Sequence, residues 1–250
     1  QDICADEEFH NGNNSVYFIG DYDKEDYKFD YKNVYSIDDG LDFYAPQTMV
    51  AEDGRRIMIG WMQSWDANIR PAGQKWSCMM TLPRELEFCD GKIIQKPVRE
   101  IEKYHTEPVV YKDVAIAGEC EFEGINGRII DMMLELKDGE YDEFTIKFAK
   151  NEKHYTSFTY NKKKGVLEVD RTFSGMVRDA ISIRRVNLKS DNKRLKIRMI
   201  LDRFSAEIFI NDGEQVLSNT FYTPLDADRI SFYCDGNVTA SIQKYNICID

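Results

Sequence analysis

The residues best suited to chemistry cluster in "SIDDGLDFYAPQ", where Asp38, Asp39 and Asp42 fall within five positions and Tyr44 follows. If this stretch is extended, Asp38 and Asp42 share one face and Asp39 takes the other, because side chains alternate along a strand. Cleaving a glycosidic bond requires two carboxyl groups on opposite sides of it, about 5–5.5 Å apart for retention and about 6.5–9.5 Å for inversion. Two acids at positions 38 and 42 of one strand lie roughly 13 Å apart and point the same way, so they cannot act as acid and nucleophile. They suit polyol binding better, since carboxylates accept hydrogen bonds from hydroxyls. The plainer alternative is an acidic loop entering a strand. Downstream, "WMQSW" places Trp61 and Trp65 on one face of a regular strand. Rings such as Tyr44 and Trp65 stack on sugar C–H faces, although the same rings also fill β-protein cores.

Other chemistries lack their residues. His10, His105 and His154 are scattered, and there is no H-E-x-x-H, G-x-S-x-G or G-x-x-x-x-G-K-[ST]. The six cysteines form no C-x-x-C pair, which reads as reduced thiols, with no metal and no cofactor expected. A net charge of −11, from 33 basic and 44 acidic residues, disfavours nucleic acid and anionic membrane surfaces as partners. No apolar run reaches the ~18 residues of a bilayer span. "QDICADEEFHNGNN" lacks the basic and apolar regions of a signal peptide.

The elements that must position these residues are strands. "EFTIKF" sets Phe144, Ile146 and Phe148 on one face, and "LKIRMIL" does the same with Leu195, Ile197, Met199 and Leu201. "RRIMIGWM" reads as a more fully apolar strand. Turns are expected at Asp53-Gly54, Asp90-Gly91, Asp138-Gly139, Asn211-Asp212-Gly213 and Asp235-Gly236. Only "PVREIEKYH", from Pro97, looks helical. All three tryptophans precede it and about ten alternating strands follow, so it marks a junction in an all-β chain.

Two groups of motifs then give a specific match. "DDGLDFYAPQTM", "DGRRIMIGWMQSW" and "MTLPREL" in the first part, with "GVLEVDRTFSG" and "LDRFSAEIFINDGEQVLSNTFYTP" in the second, closely resemble glycoside hydrolase family 32. That family comprises invertases, inulinases, levanases and sucrose-6-phosphate hydrolases, and the resemblance covers practically the whole chain. It implies the last part of a five-bladed β-propeller over 1–97, a linker over 98–107 and a β-sandwich over 108–250. It implies retaining hydrolysis of terminal β-fructosyl bonds in sucrose, sucrose 6-phosphate or fructans. The family's nucleophilic Asp lies in a W-M-N-D-P-N-type motif, a second Asp in R-D-P and the acid/base Glu in E-C, none matched here in context. The chain is therefore expected to begin after the E-C motif, to carry no catalytic residue and to be inactive alone. "GECEF" repeats the dipeptide at Glu119-Cys120, but beyond the "LPREL" segment, where it cannot reach the pocket.

Carried over residue by residue, Asp38, Asp42, Tyr44 and Trp65 are expected to face substrate. Asp202, Arg203 and Glu207 fall on sandwich positions, as strand-end and cross-strand polar pairs. A fructose-containing saccharide is the expected partner, and an open propeller edge is expected to promote self-association. The scattered thiols and the likeness to sucrose-phosphate hydrolases point to the cytoplasm. The alternative function is a non-enzymatic carbohydrate-binding β-protein.

Overall fold

The computed structural model describes residues 6, 8–9, 14–62, 75–175, 182–189 and 194–249, with the side chain of 138 excepted. Among the described residues, strands β1 (Val16–Asp23) and β2 (Lys28–Ser36) pair only with each other, as an antiparallel ribbon. β3 (Tyr44–Val50), β4 (Arg56–Trp61), β5 (Arg84–Cys89) and β6 (Lys92–Pro97) follow as a four-stranded antiparallel meander. A four-stranded meander is the unit of a propeller blade. Its β5–β6 turn has Asp90 at φ 48° and Gly91 at φ 77°, the two left-handed residues that a tight two-residue hairpin demands. The helical expectation after Pro97 is met by a 3-10 helix, Arg99–Tyr104, which buries Ile101.

Ten strands come next: β7 (His105–Cys120), β8 (Ile130–Glu140), β9 (Glu143–Lys150), β10 (Thr156–Asn161), β11 (Val166–Asp170), β12 (Ile183–Asn187), β13 (Leu195–Asp202), β14 (Ser205–Ile210), β15 (Gln215–Thr220) and β16 (Arg229–Ile247). They hydrogen-bond in the order β12-β11-β10-β9-β16-β8-β13-β14-β15, and β7 runs along β16. β16 joins the two layers of a sandwich. Its first residues pair with β9 and its later residues with β8, with a register shift within each pairing. The inward rows predicted by alternation meet across the layers. Phe144, Ile146 and Phe148 pack with Leu195, Ile197, Met199 and Leu201 in one core.

Two expected turns are not turns. Asp138-Gly139 lies inside β8 and Asp235-Gly236 inside β16. Register is lost between Cys234 and Val238, so Asp235-Gly236 forms part of a bulge instead. Gly139 sits against the backbone of Asn237 and Val238, and Gly236 against that of Glu140, so each permits close strand approach without reversing the chain. Among the described residues, no helix is long and apolar enough to cross a membrane.

Candidate functional site

The acidic segment identified in the sequence runs along the edge of the sandwich. β15 ends one sheet path, so its outward N–H and C=O groups require partners. Residues 38–42 supply them. Asp39 N donates to Val216 O at 2.8 Å and Asp42 N to Ser218 O at 3.0 Å. The outward amides of Ser218 and Thr220 donate to the carboxylates of Asp38 (2.9 Å) and Asp42 (2.7 Å). A Cβ at Gly40 would overlap the Ser218 backbone, so only glycine allows the segment this close. The two acids thus cap an edge strand, and their hydroxyl partners are the protein's own: Ser218 Oγ donates to Asp38 at 2.7 Å and Thr220 Oγ1 to Asp42 at 2.9 Å.

Buried arginines balance their charge. Arg84, on β5, is fully buried and donates to Asp38 Oδ2 at 2.9 Å, Gln95 Oε1 at 3.0 Å and Glu207 Oε2. Its guanidinium also lies 5.2 Å from the Phe43 ring and 5.5 Å from the Phe209 ring. Arg171, just after β11, bonds Asp42 and donates to Thr220 O at 2.8 Å. Asp39, in the same non-strand segment, has partners of its own, accepting from Lys189 Nζ at 2.7 Å and Gln215 Nε2 at 2.8 Å. A second close approach supports this junction: a Cβ at Gly213, in the β14–β15 turn, would overlap the Gln95 backbone on β6.

Glu207 differs from the cross-strand pair expected of it. It reaches out of β14 to the first part of the chain, accepting from Leu82 N at 2.6 Å as well as from Arg84. Burial pushes its carboxyl above the ordinary value, against the pull of Arg84. Asp202 and Arg203 do lie at the β13–β14 turn.

The four expected substrate contacts fall in three different settings. Asp38 and Asp42 are each 1% exposed and are held as described. Tyr44 is half-buried at the start of β3, opposite Trp61, with ring centroids 6.0 Å apart. A bulge follows immediately, with Ala45 at φ 47°, so the residue after an anchored Asp42 and a buried Phe43 is aimed by irregular backbone. Trp65 lies outside the described residues. Glu119, the tempting copy of the acid/base dipeptide, is on β7 of the sandwich, 3.0 Å from Lys150 Nζ. Its hydrogen bond from Lys150 lowers its pKa, the reverse of what a proton donor needs. The described residues contain no His/Cys/Asp/Glu group able to hold a metal.

Residues 2–97 match the glycosyl hydrolases family 32 N-terminal domain, and residues 100–248 match the family 32 C-terminal domain. The chain belongs to glycoside hydrolase family 32. It is 29% identical over 242 residues to a sucrose-6-phosphate hydrolase of Staphylococcus xylosus, covering 96% of this chain and 49% of that protein. It is 33% identical to a raffinose invertase of Escherichia coli over 79% of this chain and 40% of that one. Among solved structures, a Bombyx mori family 32 β-fructofuranosidase, also solved as a mutant in complex with sucrose, superposes with TM-score 0.72 and 26% identity. That match covers 93% of this chain and 46% of the silkworm chain. The sucrose-6-phosphate hydrolase of Lactobacillus gasseri has the same fold, with TM-score 0.77 and 24% identity over 93% of this chain and 47% of its own. The family 32 chain described here thus carries part of a propeller followed by a sandwich, and spans about half the length of the curated relatives it matches.

The sequence reading missed the basic side of this junction. Arg84 ("TLPREL") and Arg171 ("EVDRTF") each have an acid beside them in sequence, so no local pattern marks them as the buried partners of Asp38 and Asp42.

Proposed function

We propose that this chain is the C-terminal part of a retaining β-fructofuranosidase acting on sucrose, sucrose 6-phosphate or a fructan, and that alone it does not hydrolyse them. One observation carries the second half of this reading. Among the described residues before 98, the buried carboxylates are Asp38, Asp39 and Asp42, and each is already ion-paired, to Arg84, Lys189 and Arg171. A buried carboxylate committed to a cation in this way is not available to attack a sugar carbon. The first half is supported by family membership and by relatives whose names are sucrose-6-phosphate hydrolase, raffinose invertase and levanase. In the parent enzyme, a Glu protonates the leaving oxygen while an Asp attacks the fructosyl C2, and water then resolves the covalent intermediate.

Within that enzyme, Tyr44 and Trp65 are the substrate-facing positions of this chain. Asp38 and Asp42 act one step back, fixing the segment that delivers Tyr44. Their burial supports anchoring; the resemblance alone supports direct sugar contact. The exposed β1–β2 ribbon, with Phe18, Tyr22, Tyr27, Phe29 and Tyr31 all solvent-facing, supports self-association of the chain. The purified 250-residue chain is assayed for fructose release from sucrose, sucrose 6-phosphate and levan. No release is expected, and steady release that tracks the protein through purification overturns the inactivity.

A further inference from the structure

A cavity of about 310 Å³ lies where the β1–β2 ribbon, β6 and the sandwich meet. Its lining comes from all three: Tyr17 and Tyr35 from the ribbon, Ile93 from β6, Lys189 and Gln215 from the sandwich, with Asp39 between them. The volume sits at the lower end of small-molecule sites, room for one sugar ring. Its walls combine an aromatic surface with polar groups whose bonding is incomplete. Tyr17 and Tyr35 stack at 5.1 Å and 22°, presenting flat ring surface. The Tyr17 hydroxyl accepts a long bond, 3.4 Å, from Ile93 N, and its own proton has no acceptor among the described residues. Asp39 is 5% exposed and commits only Oδ2, to Lys189 and Gln215, leaving Oδ1 as an open acceptor among the described residues. Ser36 Oγ, in the same wall, is buried with no hydrogen-bond partner among the described residues.

We propose that this cavity binds a small neutral polyol of monosaccharide size, at a site separate from the Tyr44 face. A pyranose or furanose supplies what the walls lack. Adjacent hydroxyls can donate to Asp39 and accept from Tyr17, and a C–H face suits the tyrosine rings. Charge argues against the ionic alternatives. The lining acids Glu8, Asp39 and Glu214 outnumber the lysines Lys92 and Lys189 by one, 3 against 2, and Lys189 is already neutralised by Asp39. An anion would meet a net negative wall, and a cation would meet Lys189 beside the carboxylate it needs. The site also gives a role to Asp39, which the substrate-facing assignment leaves out.

The test is a titration of the 250-residue chain, labelled at its Ile and Val methyl groups, with fructose, glycerol, inorganic phosphate and putrescine. Fructose is expected to shift the methyls of Ile37, Ile93 and Val216 saturably, with dissociation in the millimolar range, and phosphate and putrescine are not. Tyr35→Leu and Asp39→Asn are each expected to weaken binding about tenfold while the core methyls of Ile146 and Ile208 stay in place. Tyr35→Leu serves as the readout if Asp39→Asn disturbs folding. The proposal is overturned if fructose shifts none of these methyls, if it shifts only those near Tyr44, or if phosphate or putrescine shifts them instead. The titration reads binding rather than turnover, so its outcome is independent of whether the chain releases fructose.

Discussion

The two parts of this molecule are held together by different forces. The sandwich buries a continuous apolar core of Phe, Ile, Leu and Met from both layers. The part before residue 98 has little of that. Among its described residues, Leu41, Phe43, Met58 and Met62 are the buried apolar side chains, while Phe18, Phe29, Tyr31, Met49, Val50 and Phe88 face solvent. It is fixed to the sandwich by charge and backbone contact, through two acids capping β15, Arg84 between Asp38 and Glu207, and two glycines at close approaches. Leu41 also enters the sandwich core, and Leu82 packs against the cluster of Phe209 and Val216. The sandwich is thus stabilised mostly from within, and the first part largely by its contacts with the sandwich. A buried ion network is costly to dismantle even where its net contribution over an apolar replacement is small.

The largest test removes the central cation. Arg84→Met strands Asp38 and Glu207 in the interior, and the loss of one partner in such a set costs about 3–5 kcal/mol. Denaturant unfolding is expected to separate into two steps, with residues before 98 becoming protease-sensitive while the sandwich stays resistant. A single cooperative transition would show that the first part does not depend on this arginine. Phe158→Ala, in the fully buried sandwich core, is expected to cost about 3–5 kcal/mol as well. Here both parts should fail in one transition, because the second supports the first. Gly213→Ala forces a Cβ into the Gln95 backbone at φ 97° and should cost about 1–3 kcal/mol. Its effect is expected on protease resistance of the first part, with the sandwich core unchanged.

The smallest effect concerns pH. Hydrogen bonds from Arg99 hold the Glu85 carboxyl at about 2, and those from Arg55 hold Glu100 at about 2. A carboxylate depressed in the folded state adds stability above its unfolded value, near 4.5, and that stability fades as pH falls toward about 2. This cluster, with Arg55 and Glu85 partly buried and Arg99 and Glu100 at the surface, ties the meander to the 3-10 helix, so melting temperature should drop gently through that window. Arg55→Gln should flatten the dependence, and about 1 M salt should flatten it too, since exposed pairs are screened.

These contrasts explain what could be read before the fold was known. Alternation found the sandwich strands, because one buried face imposes a period of two on Phe144, Ile146 and Phe148. The turn at Asp90-Gly91 was legible from its dipeptide; Asp138-Gly139 and Asp235-Gly236 were misleading, because a glycine that admits a neighbouring strand looks the same as one that reverses a chain. Alternation at Asp38, Asp39 and Asp42 presupposes a strand, but residues 37–43 form bends before β3, the acidic loop entering a strand that was the plainer alternative. The partners of Asp38 and Asp42 were not legible. Ser218 and Thr220 lie about 180 residues away, and no local pattern encodes an edge amide that takes a carboxylate in place of a neighbouring strand.

The long strand β16 carries a consequence for how the chain matures. It is the last strand of the sandwich to be synthesised, yet it pairs with β7, the first, and with β8 and β9. The β9–β12 and β13–β15 meanders pair consecutive strands and can form as they emerge, but the two halves of the sandwich are joined only once β16 has been made. Until then the β8-β13-β14-β15 sheet, whose β15 edge the two acids cap, lacks its connection to the β9–β12 layer. Chaperone demand should accordingly peak after translation of residue 247, and should fall sharply in a circular permutant that brings β16 to the front.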